Sequence, residues 1–144
     1  MILDNENLFS DGQQLLASAA STNIIDLGAT GRVPYASTNL KRDISKGVHI
    51  PLLVQVTEAF AGLTSLAVAL QSSDDSTFAS GVTTLVTQTI PVAGLAAGAR
   101  WGLTTFPYGT VGRYLRLNYT VTGTGTAGRV TAGVTAGNDE TPPL

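Results

Sequence analysis

The sequence predicts an all-β fold: an antiparallel β-sandwich, a jelly roll of about eight short strands. Three observations lead there. Apolar residues recur with a period of two rather than 3.6. Clusters of Gly, Asn, Asp and Ser punctuate the chain at short intervals. No amphipathic helical pattern separates the candidate strands, as the crossovers of a parallel sheet would require. A small closed barrel is the alternative architecture for the same pattern.

The whole chain, residues 1–144, reads as a single domain. Residues 1–12 have no clean alternation and read as an N-terminal arm. The apolar side chains of Ile2, Leu3, Leu8 and Phe9 would carry it onto a neighbouring molecule, or else dock it on its own sandwich. Strands are expected in QQLLASAAS (13–21) and TNIIDLG (22–28), followed by a turn at GATGR. In VHIPLLVQVT, Ile50, Leu52, Val54 and Val56 share one face, while His49, Pro51, Leu53, Gln55 and Thr57 share the other. Pro51 cannot donate to a ladder, so it marks a strand start or an edge. In SLAVALQ the inward set is Leu66, Val68 and Leu70, and the outward Ala67 and Ala69 are small enough to permit close approach.

SSDDS reads as a turn, VTTLVTQ (82–88) and RWGLTTF (100–106) as strands, and IPVAGLAAGA between them as a loop or buried crossover. After the turn residues of PYGTVG, Leu115, Leu117, Tyr119 and Val121 alternate with Arg116, Asn118 and Thr120. Gly123, Gly125 and Gly128 then predict a reversal, with Val130, Ala132 and Val134 returning as the second strand of a β-hairpin. Residues 137–144 read as a flexible tail.

Composition narrows the function classes. Hydrophobic residues make up 43% of the chain and charged residues 12%, against about 25% charged in ordinary soluble domains. The exterior must therefore be polar but weakly charged, a surface that costs little to desolvate against a neighbour. A net charge of −2 leaves no basic footprint for nucleic acid. Without cysteine there is neither a disulfide framework nor a thiolate metal site. No apolar run is long enough for a membrane helix, and the start lacks the basic and apolar regions of a signal peptide.

No catalytic constellation is legible. His49, the only histidine, lies on an outward strand face with no nucleophile or carboxylate beside it in sequence. Asp74 and Asp75, followed by Ser76, could contribute oxygen ligands to calcium, but residues of this type more often build tight turns. No enzyme, cofactor or metal is expected. Trp101, Phe106 and Tyr108 crowd a loop-like segment, where large rings serve as contact anchors, as the lid of a core, or as stacking platforms for sugars. Candidate contact residues are accordingly Ile2, Leu3, Leu8, Phe9, Leu53, Trp101, Phe106, Tyr108 and Arg116.

Several segments at the two ends of the chain are familiar in type: MILD at the start, FSD at Phe9 to Asp11, STNIIDLG at Ser21 to Gly28, YLRLNY at Tyr114 to Tyr119, and TAGVT at Thr131 to Thr135. In their order and position they resemble the jelly-roll capsid cement, or decoration, proteins of tailed bacteriophages. The resemblance implies a structural virion protein on the outer capsid surface that bridges neighbouring major capsid protein subunits. It also implies association with further copies of itself, as a dimer in preference to a trimer. A carbohydrate-binding β-sandwich on a phage surface, using Trp101 and Tyr108, is the competing expectation.

Overall fold

In a computed structural model, which describes residues 3–136, the chain is all-β and antiparallel. Six strands form one hydrogen-bonded sheet: β1 (Leu3–Gln14), β2 (Ala19–Ala20), β3 (Ile25–Asp26), β4 (Leu52–Ser73), β5 (Thr83–Pro91) and β6 (Tyr114–Thr135). Ile2 and residues 137–144 lie outside the described residues.

The order β1-β6-β4-β5, with β2 and β3 also on β6, is simplest to follow as four long runs lying side by side. Residues 3–26 follow β6 along its whole length, from Leu3 opposite Thr135 to Asp26 opposite Tyr114. On its other side β6 pairs with β4, from Leu52 opposite Val134 to Ser73 opposite Tyr114. Beyond β4 runs the fourth segment. β5 pairs with Ser65–Ser72, and residues 98–106 lie against the start of β4 through bridges at Gln55/Arg100 and Pro51/Thr105. Their backbone bonds include Trp101 N–H to Val54 O at 2.9 Å and Leu52 N–H to Thr104 O at 2.8 Å. Between these halves sits one turn of 3-10 helix, Val92–Gly94.

All four runs bend at mid-length, and the sheet closes over on itself. The proof is a contact across the interior. Ser10 in β1 is the neighbour of Ala132 in β6, yet its Oγ lies 2.8 Å from the Tyr119 hydroxyl. A straight strand would hold residues 119 and 132 about 43 Å apart, far beyond one tyrosine's reach. The inward residues of both halves of β4, Leu52, Val54 and Val56 with Leu66, Val68 and Leu70, accordingly share one core with Phe9, Leu15, Leu115, Leu117 and Tyr119. Burying each such side chain is worth about 1.5–3 kcal/mol relative to exposure.

The bend revises the expected hairpin. Tyr114 to Thr135 is one continuous strand, and the two separate strands expected around Val54 and Val68 are the two ends of β4. Gly62, Gly123 and Gly128 have φ of +82°, +95° and +136° and stand where the β4/β6 register shifts, between Val56 and Ser65. They make bulges that turn a strand through the bend rather than reversals that end it. A Cβ on Gly128 would lie 2.1 Å from the Phe60 ring, so the bend is packed as well as strained.

The expected N-terminal arm does not project. Residues 3–14 are β1, Phe9 is fully buried in the core, and Leu8 is buried over Gly133, where its Cδ2 would touch any Cβ added there. Docking is decided by alternation that the local sequence conceals. Register shifts between Leu3 and Leu8, Leu8 and Ser10, and Ser10 and Gln13 break the period of two in β1.

Candidate functional site

The bend leaves one closed end and one open end, and two loops cross the open end from layer to layer. Residues 27–51 lead from β3 to β4, and residues 107–113 lead from the fourth run to β6. They are tied to each other. The Ser45 hydroxyl donates to Pro107 O, Gly109 N–H donates to the Asp43 carboxylate at 3.3 Å, and Ile44 N–H donates to Thr110 O at 3.4 Å. Ser45 and Thr110 are buried beneath this lid, with Leu27, Ile44 and Ile50 packed partly against the core.

Charge, scarce elsewhere, collects here. Residues 29–48 hold Arg32, Lys41, Arg42 and Lys46 against a single acidic residue, Asp43, while β5 has no charged residue at all. Arg113 at the rim grips Asp26, Nε to Oδ1 at 2.7 Å and Nη2 to Oδ2 at 2.8 Å. That bidentate bond, with Gly28 N–H also donating, holds the Asp26 carboxyl down to about 2, and the Arg113 guanidinium is raised in turn. Arg42 donates to the carbonyls of Leu27 and Gly28. A cleft of about 480 Å³ opens between Ala29, Lys41, Arg42, Asp74, Val111 and Arg113.

Apolar side chains stand out from the same loops. Val33, Leu40, Val48, Tyr108 and Val111 are each at least half exposed, and Tyr35 is fully exposed with a φ of 67°, a conformation unusual for a side chain of its size. Isolated exposed apolar residues are ordinary. Six on two linked loops, interleaved with four cations, form a mixed surface suited to contact with protein.

The expected contact residues divide unevenly. Tyr108 is exposed on this surface, 70% accessible. Arg116 is half-buried on the outer sheet face, donating to Gln71 Oε1 at 2.9 Å and lying 4.3 Å over the Phe78 ring. Leu3 is half-buried at the start of β1. Leu8, Phe9, Leu53, Trp101 and Phe106 are buried within this chain and present nothing to a partner. Trp101 and Phe106 anchor the fourth run in the core, and the Phe106 ring packs 6.5 Å from Phe9. With Trp101 only 3% exposed, the paired sugar platform expected of Trp101 and Tyr108 is not formed. The residues missed by sequence reasoning are those of 31–48. Their signal was the basic cluster of KRDISK, hidden by the low charge of the chain as a whole.

Asp75 builds its turn. Its carboxylate accepts from Thr77 Oγ1 at 2.7 Å and Thr77 N–H at 2.9 Å, and from the N–H groups of Ala79 and Ser80 at 3.2 Å. These bonds, led by the Thr77 hydroxyl, lower its pKa to about 2. Asp74 accepts from Arg113 N–H at 3.0 Å. His49 is exposed near the foot of the loop. Among the described residues no group of three or more His, Cys, Asp or Glu side chains is arranged to hold a metal ion.

A family model compared with the sequence matches residues 9–134, from the buried Phe9 to the last residue but one of β6. The chain belongs to the Bbp16 family. The Bbp16 match spans the bent sheet and both crossing loops, so the open end is part of the family's own extent rather than an addition to it. No curated protein matches the chain.

Proposed function

We propose that this Bbp16-family protein is a structural virion protein, one that binds the outer surface of a phage capsid and cements neighbouring major capsid protein subunits without catalysing a reaction. The observation that carries the reading is the open end. Six exposed apolar side chains and four cations stand on two loops held together by hydrogen bonds, on a body otherwise poor in charge. The resemblance of the two ends of the chain to capsid cement proteins supplies the kind of partner. The charge supplies its chemistry: an acidic protein surface with apolar hollows.

The physical task is mechanical. A shell under internal load separates along subunit boundaries, and a stiff body attached on both sides of a boundary raises the cost of separation. Stiffness comes from the folded-over sheet, whose four runs share one core. Each contact needs only a standard area, about 1,600 Å² in total. Fixed neighbours present their sites at high effective concentration, so modest contacts add.

The test is direct. Mass spectrometry of purified particles of the phage that encodes the chain is expected to find it at a copy number comparable with that of the major capsid protein. Particles stripped of the protein are expected to rebind the wild type and to rebind Lys41→Glu/Lys46→Glu much more weakly, with the wild-type affinity falling as salt rises. Absence of the chain from particles overturns the proposal.

A further inference from the structure

The sheet has two edges, and they are built differently. Along one, residues 3–26 are cut into three strands, with three register shifts in β1 alone, and carry Asp4, Glu6, Asp11 and Asp26. Shortness, bulges and charge are the devices by which proteins keep an exposed edge from pairing with another strand. Along the other edge β5 is unbroken and uncharged, with one register shift, at Leu85, in place of three. It is a nine-residue strand, in register with β4 through eight residue pairs and a single shift. Not one charged residue occurs from Ser76 to Ala99. Its only proline, Pro91, is the last residue of the strand, so every earlier position keeps its N–H. Beyond the ladder to β4, no backbone bond from β5 to another part of the chain is made among the described residues.

We propose that β5 pairs antiparallel with β5 of a second copy of this chain about a two-fold axis, joining the sheets of two molecules edge to edge. A strand flank with free N–H and C=O groups is a template for another strand, and an isologous antiparallel pairing is the one that lets identical strands close. Thr83, Thr84, Thr87 and Thr89 are exposed along β5. With the two-fold axis at Gln88, Thr87 of each copy faces Thr89 of the other, a favourable cross-strand pair that sets no charge against its like. The opposite edge is unsuited to the same pairing, because carboxylates would meet carboxylates. Pairing β5 with that edge of a neighbour would be head-to-tail and would leave an open, growing array. Self-pairing through β5 closes at two copies, and it stands independently of the virion reading.

The experiment measures mass by sedimentation equilibrium on the full chain. Wild type is expected to be a dimer at micromolar concentration. Thr87→Lys/Thr89→Lys and Thr87→Glu/Thr89→Glu place like charges across the axis and are each expected to weaken dimerisation by about a hundredfold or more, with circular dichroism unchanged. An equimolar mixture of the two variants is expected to recover the dimer, because lysine then faces glutamate. Hydrogen exchange of the unmodified protein covers the case in which a variant fails to fold: amides of 83–91 are expected to slow as concentration rises. A wild type monomeric at high micromolar concentration overturns the inference, as does a dimer that persists in both variants or exchange at 83–91 that is independent of concentration. A monomer found on particles defeats this inference alone, and a dimer absent from particles defeats the virion reading alone.

Discussion

Ser10 Oγ and the Tyr119 hydroxyl meet at 2.8 Å inside the core, joining opposite layers of one sheet. Both residues are fully buried, and Ser10 also bonds Gln13 Oε1 at 2.7 Å. Burial pushes the Tyr119 phenol well above its ordinary pKa, the Ser10 bond offsetting this in part, so the hydroxyl stays protonated. The pair is a buried polar bond at the point where the fold depends on the layers meeting.

The two members of that pair are not equivalent. Tyr119→Phe leaves Ser10 its bond to Gln13 and is expected to cost about 0.5–1.5 kcal/mol. Ser10→Ala strands the phenol without its partner and is expected to cost about 1–3 kcal/mol. Denaturant titration at one fixed protein concentration measures both, and an S10A variant less destabilised than Y119F contradicts the assignment.

At the bend, Gly128→Ala is expected to destabilise by about 3 kcal/mol or more, since it combines an unfavourable φ with overpacking against Phe60. Gly109→Ala has a φ of +87° but open space around it, and its expected cost is about 1 kcal/mol. Thermal unfolding of the two variants separates strain alone from strain with a clash.

Phe9 tests the fate of the N-terminal segment. Phe9→Ala empties a fully buried site and is expected to cost about 3–5 kcal/mol. Deleting residues 1–10 removes both Phe9 and Ser10, and the product is expected to be largely unfolded rather than a stable body lacking an arm. A truncated chain with native circular dichroism and unchanged melting temperature would return these residues to the role of an arm.

Acid should weaken the fold through two carboxylates. Asp26 and Asp75 are each lowered from 3.8 to about 2, by the Arg113 bond and by the Thr77 bonds respectively. A depressed carboxyl contributes stability that is fully present above its unfolded pKa and is lost as pH falls toward the folded value. Stability is therefore expected to be flat above about pH 5 and to decline between about pH 4 and 2. In Asp26→Asn and Asp75→Asn that decline should be shallower, as measured by denaturation midpoints across the range.

Alternation along the chain was enough to determine the all-β class and most of the core. Leu52, Val54, Val56, Leu66, Val68, Leu70, Leu115, Leu117, Tyr119, Val130 and Ala132 all point inward as their spacing requires, because a period of two puts every second residue on one face whatever the strand pairs with. Scarce charge likewise implied a weakly charged exterior. The tertiary structure alone decided how many strands those segments make. A glycine at positive φ serves a reversal or a bulge equally well, and only pairing with β4, some sixty residues earlier in the chain, makes Gly123 and Gly128 a bend within one strand. The same long-range pairing buried Phe9, Leu53 and Trp101, which look available when read locally. It also drew Arg42, Lys46 and Tyr108 onto one end, since loops far apart in sequence become neighbours only when the sheet folds over.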